Sequence, residues 1–336
     1  MHALLDKLRK TAARELDVLG IGECSLDRVY PLRGRLRDFV GKKGVAERVL
    51  PLGGGQVATA MCALRRLGFR TAFVGAIGDD DDGSAVLSGL RDEGVHTREV
   101  RVVAGAATRT ALLFVDEDGE RTVIEHRDAA LHLGKDDPPP KTLAAARVVH
   151  VDGTYPSAAL RAARLARASG GLVSIDLDTP SASMLELLRL SDLTVLPIDF
   201  VTALTGETDV ERGARRVAEH TSGQVIVTLG SAGCAALFFD ASGARLLRQA
   251  AYRPPGGIVD TTACGDTFRA ALIARLLDRV TAAADALQSP EDELAAALRF
   301  ASAAASLKCQ APGRQGCPTR PAVDEFLKRL QTEQTS

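Results

Sequence analysis

Short apolar runs alternate along the chain with segments of helical character. Five runs have the length of one strand, at 16–22, 148–151, 172–176, 193–196 and 224–229. Segments typical of helices lie between them, for example 158–168 and 200–204. Nearly continuous apolar strands that alternate with helices are typical of a parallel sheet covered on both faces. The pattern therefore predicts an α/β fold of three layers with a mostly parallel central sheet.

Two regions interrupt this alternation. Residues 28–52 and 105–128 are predicted to be extended β segments, and the second contains a turn at Asp116-Glu117-Asp118-Gly119. Residues 1–16 are rich in charge and are predicted to form an amphipathic helix. We therefore expect one domain over residues 17–336, preceded by a short N-terminal extension.

The amino-acid composition argues against several classes of protein. The 336 residues include 42 basic and 43 acidic side chains, a balance that does not indicate a nucleic-acid-binding face. No run approaches the ~20 apolar residues of a membrane span. Six scattered cysteines show neither metal-binding nor disulfide spacing, which is typical of reduced thiols. We expect a soluble cytoplasmic protein that binds neither nucleic acid nor membrane.

Polar residues follow several of the predicted strands. In a parallel sheet, ligands bind beyond the carboxyl ends of the strands. The residues that fit this rule are Glu23, Asp27, Asp152, Asp176, Asp178 and Gly230. The pattern predicts a ligand site along this edge of the sheet.

The most informative motif covers residues 260–268 and reads D-T-T-A-C-G-D-T-F, just before an Ala-rich helical segment. A helix start presents unpaired N–H groups and the positive end of the helix dipole, which together hold phosphate. Small side chains at Ala263, Cys264 and Gly265 would let an anion approach the backbone. Asp266, in the first turn, is placed to take a proton from an attacking hydroxyl.

A second motif lies far upstream. A Gly53-Gly54-Gly55 turn leads into a small-residue helix, a strand at 71–75, and an acidic turn at 77–83. Together the two motifs resemble the paired signatures of the ribokinase, or PfkB-type, sugar kinases, over roughly residues 17–328. The downstream copy reads A-C-G-D where the usual form is G-A-G-D.

The resemblance implies a ribokinase-like fold in which segments 28–52 and 105–128 form a small β lid over the sugar. It implies that Asp266 is the general base and that Ala263, Cys264 and Gly265 donate backbone N–H groups to the phosphoryl group. The lid often forms the dimer contact in this family, so a homodimer through the lid is expected.

For the acceptor, the resemblance implies binding by Asp27, Gly54, Gly55 and Thr59, the last where many relatives carry Asn. A hydroxyl makes fewer hydrogen bonds than an amide, so the sugar hydroxyls recognised would differ from those of ribose. Two further candidates come from position alone. Asp152 follows a strand and would face the sugar. Arg109 would either bind an acidic or phosphorylated acceptor or remain an exposed lid charge.

For the nucleotide, the resemblance implies ATP bound by a T-x-G-x-x-G loop and by a small-residue helix that flanks the adenine. The loop residues are Thr228, Gly230, Ser231 and Gly233, and the helix residue is Ser302. The loop motif alone is weak, because glycine turns after strands are common.

Magnesium is also implied, but the family's N-x-x-E motif is missing, because Pro197 and Phe200 occupy its Asn and Glu positions. The ion would then be held by the nucleotide, by water and by Asp199 or Glu207. A monovalent cation such as K⁺ is implied too, with mainly backbone carbonyl ligands. Its expected residues are Asp260, Thr262, Arg314 and Gly316.

These features favour an ATP-dependent kinase that phosphorylates a primary hydroxyl of a small sugar. The G-G-G-x-x-A-T-A sequence and residues 304–316 resemble relatives that act on fructose-type or sulfofructose-type ketoses. Three alternatives remain open: a nucleoside kinase, a ketodeoxygluconate-type sugar-acid kinase, and a non-catalytic sugar-binding homologue. Low aromatic content argues against the first, and a retained Asp266 argues against the third.

Overall fold

The computed structural model describes residues 1–117, 121–134, 136–178, 180–240, 243–281 and 289–335. Its helices are α1 His2–Lys10, α2 Gln56–Arg66, α3 Asp81–Asp92, α4 Pro140–Ala144, α5 Pro156–Ala168, α6 Ala182–Leu190, α7 Ile198–Thr205, α8 Val210–Ala218, α9 Cys264–Thr281, α10 Pro290–Lys308 and α11 Arg320–Thr335. Its strands are β1 Leu16–Ile21, β2 Ser25–Pro31, β3 Leu50–Gly54, β4 Thr71–Val74, β5 Ala76–Gly78, β6 Arg101–Val103, β7 Thr110–Val115, β8 Arg121–His126, β9 Ala146–Asp152, β10 Leu172–Asp176, β11 Leu193–Pro197, β12 Gln224–Thr228, β13 Cys234–Asp240 and β14 Gly243–Gln249.

The central sheet has eight strands in the order β14-β13-β12-β11-β10-β9-β1-β4. The six strands from β12 to β4 run parallel, while β13 and β14 continue the sheet in antiparallel fashion. All five strands predicted from apolar runs are present, as β1, β9, β10, β11 and β12. The chain order changes direction around β1, so strand ends and their loops converge there to form a crevice.

Helices cover both faces of this sheet, as the apolar strands predict. One core cluster joins the sheet to α1, α2, α9 and α10, and the other joins it to α5, α6, α7 and α8. The buried face of α5 consists of alanines, which allow the helix to approach the strands closely. Among the largest fully buried side chains, only Phe73 and Phe200 are aromatic, so the core is mainly aliphatic. The fold is a three-layer α/β/α structure.

A separate sheet of four strands, in the order β3-β2-β7-β8, forms the lid. It arises from the two β segments predicted to interrupt the alternation. Residues 36–39 between β2 and β3 form a short 3-10 helix. This helix was not expected, because residues 28–52 were predicted to be extended β structure throughout. Of the turn predicted at 116–119, residues 118 and 119 lie outside the described ranges. Asp27, expected in a loop, lies within β2 and pairs with β3 and β7.

The N-terminal helix packs onto the domain. Leu4, Leu5 and Leu8 of α1 are buried in the first core cluster, and the Nζ of Lys7 lies 2.5 Å from Asp192 Oδ1. Residues 2–10 therefore share their hydrophobic core with α9 and the central strands. None of the described helices combines the length and apolar character needed to cross a membrane.

Candidate active site

Two clefts meet at the N-terminus of α9. The first, of about 600 Å³, lies between the lid and the carboxyl ends of the parallel strands; we call it the acceptor cleft. The second, of about 730 Å³, lies between the end of β12 and helices α9 and α10; we call it the nucleotide cleft. Ile258 and Thr261 line both. A group that reaches this junction can therefore pass from one cleft to the other.

Residues 263–266, at the start of α9, are divided between the two clefts. Ala263 and Asp266 line the acceptor cleft, while Cys264 and Gly265 line the nucleotide cleft. Ala263 has φ 66°, the left-handed region that favours glycine, and it stands where the usual family motif has Gly. With the amino end of α9 at the junction, its N–H groups and dipole can stabilise an anion there. The residues predicted to hold a phosphoryl group therefore lie together where the two clefts meet.

Asp266 lies among other carboxylates. Burial, followed by the charges of Asp176 and Asp178, raises its pKa well above the usual range, although Arg269 acts in the opposite sense. The Arg269 Nη2 lies 2.9 Å from Asp176 Oδ1, and both side chains are almost fully buried (6% and 1% exposed). Burial raises the pKa of Asp176 to about 7. A carboxyl group with a raised pKa is a stronger proton acceptor when ionised, as a general base requires.

Glycines bring the backbone close to the floor of the acceptor cleft. Gly55 has φ +87°, and a Cβ there would lie 2.4 Å from the carbonyl oxygen of Glu23. A Cβ on Gly54 would lie 2.2 Å from Asp27 Oδ2, so the carboxylate packs directly on this backbone. Thr59, on the buried face of α2, lines the same cleft. The four residues that the resemblance implies for the acceptor therefore line one cleft.

Arg109 lines the acceptor cleft but is already paired. Its Nε lies 2.8 Å from Glu23 Oε1, and its Nη2 lies 2.6 Å from Glu125 Oε1. Arg127 contacts the same two acids: its Nη1 lies 3.2 Å from Glu23 Oε1, and its Nη2 lies 2.9 Å from Glu125 Oε2. Burial raises the pKa of Glu23 to about 7, with the two arginines opposing that shift. Arg109 is thus not an exposed lid charge, since its side chain is only 12% exposed. It belongs to a network in which two arginines are paired with two glutamates.

Asp152 does not line the acceptor cleft, contrary to the prediction that it faces the sugar. It is 1% exposed and accepts hydrogen bonds from the backbone N–H groups of Glu23 and Thr154, each 2.8 Å long. A Cβ on Gly22 would lie 2.3 Å from its carboxylate. Its place at the end of a buried strand turns the side chain towards the Gly22–Glu23 turn. Asp152 therefore holds this turn in position from behind.

The nucleotide cleft contains all five residues predicted for it: Thr228, Gly230, Ser231, Gly233 and Ser302. Gly233 has φ +97°, and a Cβ there would lie 2.1 Å from the carbonyl oxygen of Gln249, so only glycine fits. Tyr252 and Phe268 also line the cleft, although neither was predicted to do so. Tyr252 lies outside the motifs identified in the sequence, and Phe268 is the last residue of the 260–268 motif.

Cys264 has a thiol partner that the sequence did not reveal. Its Sγ lies 3.1 Å from the Sγ of Cys309, at the end of α10, and both line the nucleotide cleft. The contact between the two thiols raises the pKa of Cys264 and lowers the pKa of Cys309 to about 7. Cys264 therefore stays protonated, contrary to the lower pKa expected for a thiol at a helix N-terminus.

Metal ligands are few around the clefts. Within the described ranges, no group of three or more His, Cys, Asp or Glu side chains could hold a metal ion. Asp199 and Glu207 line neither cleft, and Glu207 is paired with Arg212 at 2.9 Å. The two carboxylate oxygens of Asp176 accept no hydrogen bond, although Oδ1 is ion-paired with Arg269. Asp178 lines the acceptor cleft together with Asp266, whereas the buried Asp176 lines neither cleft.

Of the four residues predicted for a monovalent cation, Asp260, Thr262 and Arg314 line the acceptor cleft, whereas Gly316 does not. The guanidinium of Arg314 packs on Gly53, where a Cβ would lie 2.2 Å from its Cζ. The Nζ of Lys308 lies 3.0 Å from the Asp260 carbonyl oxygen. A lysine ammonium thus occupies carbonyl groups that the expected K⁺ would need.

Comparison with known proteins agrees with this architecture. Residues 16–320 match the model of the pfkB family carbohydrate kinases. Probable fructokinase-3 of Arabidopsis thaliana is 28% identical over 303 residues, which cover 84% of this chain and 85% of that protein.

Two solved structures share the fold. A putative ribokinase from Agrobacterium tumefaciens has a TM-score of 0.80 and 28% identity, covering 94% of this chain and 99% of its own. The Arabidopsis thaliana ribokinase complexed with ribose and ATP has a TM-score of 0.78 and 26% identity, covering 93% and 99%. With residues 16–320 matching the family model and residues of both family motifs lining the acceptor cleft, this chain belongs to the pfkB family of carbohydrate kinases and is a sugar kinase, a phosphotransferase with an alcohol group as acceptor.

Proposed function

We propose that this sugar kinase transfers the γ-phosphoryl group of ATP to a primary hydroxyl of a small neutral ketose. The observation that carries the proposal is Asp266 at the N-terminus of α9, where the acceptor and nucleotide clefts meet. ATP is assigned to the nucleotide cleft because of its glycine loop, and because the Arabidopsis ribokinase was solved with ribose and ATP. A ketose is favoured because fructokinases are among the relatives.

In the proposed reaction, Asp266 accepts the proton of the acceptor hydroxyl. The oxygen attacks the γ-phosphorus, and the bond from that phosphorus to the bridging oxygen of ADP breaks. The N–H groups of Ala263, Cys264 and Gly265 stabilise the charge on the transferring group. The acceptor cleft and the nucleotide cleft open onto different sides of residues 263–265. The attacking oxygen and the bridging oxygen of ADP can therefore lie on opposite sides of the phosphorus, as in-line transfer requires.

Mg²⁺ bound with ATP would neutralise charge on the phosphates. The residues present suit an ion held mainly by phosphate and water, because few protein carboxylates lie at the junction. Asp178, which lines the acceptor cleft together with Asp266, is the residue proposed to face it, in place of Asp199 and Glu207.

The charge of the acceptor cleft favours a neutral sugar. Among the described residues that line it, six acids accompany four arginines: Glu23, Asp27, Glu125, Asp178, Asp260 and Asp266 with Arg48, Arg109, Arg127 and Arg314. Arg109, the candidate for binding an anion, is neutralised by Glu23 and Glu125. An anionic acceptor would displace these pairs and meet the remaining acids. This argues against the sugar-acid alternative.

A panel of acceptors tests the proposal. ADP release would be measured with fructose, ribose, a sugar phosphate, a 2-keto-3-deoxy sugar acid and adenosine, each over a range of concentrations. We expect the highest kcat/KM with a neutral ketose. A preference for an anionic sugar would overturn the neutral assignment, and a preference for adenosine would make the protein a nucleoside kinase. Sugar binding by calorimetry without ADP release would indicate a non-catalytic homologue.

Asp27 is expected to bind the acceptor and not the nucleotide. It lies in β2, lines only the acceptor cleft, and accepts a hydrogen bond of 2.7 Å from Ser25 Oγ. Asp27→Ala should raise the KM for the sugar at least about tenfold, since a hydrogen bond to a charged group is worth about 1.5–3 kcal/mol. The KM for ATP should change little.

Ser231→Ala in the nucleotide cleft is the matched control, and it should affect the KM for ATP alone. If Asp27→Ala raised both KM values equally, Asp27 would be supporting the fold around both clefts and not binding the sugar.

We also propose that the lid forms a homodimer contact. Ile124 on the outer strand β8 is 55% exposed, and Tyr30 and Phe114 stack with their ring centroids 5.4 Å apart on neighbouring lid strands. Apolar side chains exposed on an edge strand favour association with another chain. Sedimentation velocity on the purified protein tests the proposal, and a monomer at micromolar concentration would contradict it.

A further inference from the structure

Lys308, the last residue of α10, carries a fully buried ammonium group. The side chain is 0% exposed. Its Nζ lies 3.0 Å from the Asp260 carbonyl oxygen, 3.1 Å from the Ala311 carbonyl oxygen and 3.4 Å from Asp260 Oδ2. An ammonium has three N–H donors and no acceptor. Three oxygens therefore satisfy all three donors, which explains how the charge can be buried.

The carbonyls around Lys308 face inward because of the turn that follows α10. At Gly316, a Cβ would lie 2.6 Å from the Lys308 carbonyl oxygen and 2.9 Å from that of Ala311. A turn that directs carbonyl oxygens into its own centre is a typical site for a cation. In this protein the positive charge at that position is the ammonium group of Lys308.

Lys308 joins the two segments that shape the active site. The carboxylate of Asp260 accepts hydrogen bonds from Thr262 N at 2.8 Å and Gly313 N at 2.7 Å. Thr262 leads directly into the anion site at the start of α9. Gly313 begins the short 3-10 helix that carries Arg314 into the acceptor cleft. Through Asp260, the ammonium of Lys308 therefore ties the loop before α9 to the turn that carries Arg314.

We propose that Lys308 takes the place of a monovalent cation, so that this kinase requires no K⁺. The inference rests on the proposed kinase activity for its catalytic part, and on the geometry of Lys308 alone for its structural part. Lys308 is a positioning residue: it touches neither cleft, and it holds Asp260 and the loop leading to Ala263 in place.

A potassium ion does not fit beside this ammonium. It would have to share the carbonyl oxygens of Asp260 and Ala311, both of which accept hydrogen bonds from Lys308. Two positive charges a few ångströms apart in a buried site repel strongly, because little solvent screens them. Binding of K⁺ would therefore require Lys308 to leave.

The first test compares the wild-type protein in chloride salts of K⁺, Na⁺ and tetramethylammonium at constant ionic strength. We expect equal kcat and equal Tm in all three. Activation by K⁺ of several-fold, or a higher Tm in K⁺ than in tetramethylammonium, would overturn the proposal. The Tm comparison needs no substrate, so it remains decisive even if the assignment of the kinase reaction fails.

The second test uses Lys308→Met, because methionine keeps the length of the lysine stem and leaves only the position of Nζ open. In tetramethylammonium its Tm should fall by at least about 5 °C, since one partner of a buried charge pair is lost. In K⁺ both Tm and kcat should recover in part. Lys328→Met, an exposed lysine on α11, is the control and should show no dependence on the cation.

Two outcomes of the second test contradict the proposal. A Lys308→Met protein with wild-type Tm and kcat in tetramethylammonium would show that the ammonium positions nothing. A loss of Tm and kcat that no monovalent cation restores would show that Lys308 is an ordinary buried ion pair and not a substitute for a bound ion. If the variant does not fold, the wild-type comparison alone decides.

Discussion

Asp266→Asn should lower kcat by about 100-fold or more, within the ~10²–10⁴ range typical for loss of a general base. Asparagine has nearly the same size but cannot accept the hydroxyl proton. The fold should persist and become more stable at pH 8. The pKa of Asp266 is raised in the folded state, so its ionised form destabilises the fold, and the amide removes that charge. Activity is measured by ADP release and stability by urea unfolding.

The wild-type pH profile supplies an independent check on Asp266. Because the base must be ionised, kcat/KM should fall as the pH drops. The fall should begin at a pH well above the usual pKa of an aspartate, because the pKa of Asp266 is raised. Other carboxyl groups in the cleft also have raised pKa values. The fall in kcat/KM therefore reports the ionisation of these carboxyl groups together and not of Asp266 alone. If Asp266→Asn retained more than about a tenth of the wild-type kcat, far above the residual expected for loss of a base, Asp266 would not be the general base.

Arg269→Met should lower the free energy of unfolding by about 3–5 kcal/mol at pH 8, because it leaves the buried carboxylate of Asp176 without its partner. The two side chains approach to 2.9 Å and are almost completely buried. Methionine fills much of the same space, so little of the loss should come from a cavity. Urea unfolding of the wild type and the variant measures the difference.

The pH dependence identifies the charge as the cause. Even beside Arg269, the pKa of Asp176 is raised to about 7, and removing Arg269 should raise it further. Between its usual pKa and the raised value the folded state binds more protons than the unfolded state, so stability falls as the pH rises. The destabilisation should therefore be smaller at pH 5 than at pH 8.

A double variant provides the control for Arg269. Asp176→Asn together with Arg269→Met removes both charges and should be more stable at pH 8 than Arg269→Met alone. An equal loss of stability at both pH values, unrelieved in the double variant, would mean that packing and not charge explains the effect.

The sequence predicted the layers of the fold well, for a physical reason. The buried parallel strands are apolar on both faces, so each of β1, β9, β10, β11 and β12 is visible as a local run. The anion site depends on consecutive residues at the start of one helix, and Ala263, Cys264, Gly265 and Asp266 do meet there. In contrast, β13 and β14 were missed: β14 has polar or exposed positions at the sheet edge and no continuous apolar run, whereas β13 is an apolar run that was not assigned to a strand.

Long-range charge pairing could not be predicted. Arg109 and Glu23 lie on separate segments, and nothing local in the sequence shows that they approach to 2.8 Å. The same holds for Lys308 and Asp260, and for Cys264 and Cys309. Asp152 was misplaced because the position after a strand indicates the correct edge of the sheet but not whether the side chain faces the ligand or the neighbouring turn.

The two clefts draw on different parts of the chain. The lid strands and the glycine turn of the acceptor cleft lie within residues 25–126, while the nucleotide cleft is lined by residues 228–309. From the C-terminal half, the described residues that line the acceptor cleft are Asp178 and those around the start of α9 and the turn after α10. Mutations in the first half can thus alter the acceptor cleft while the lining of the nucleotide cleft stays unchanged. Chimeras with relatives joined between β9 and β12 would exchange specificity for one substrate at a time.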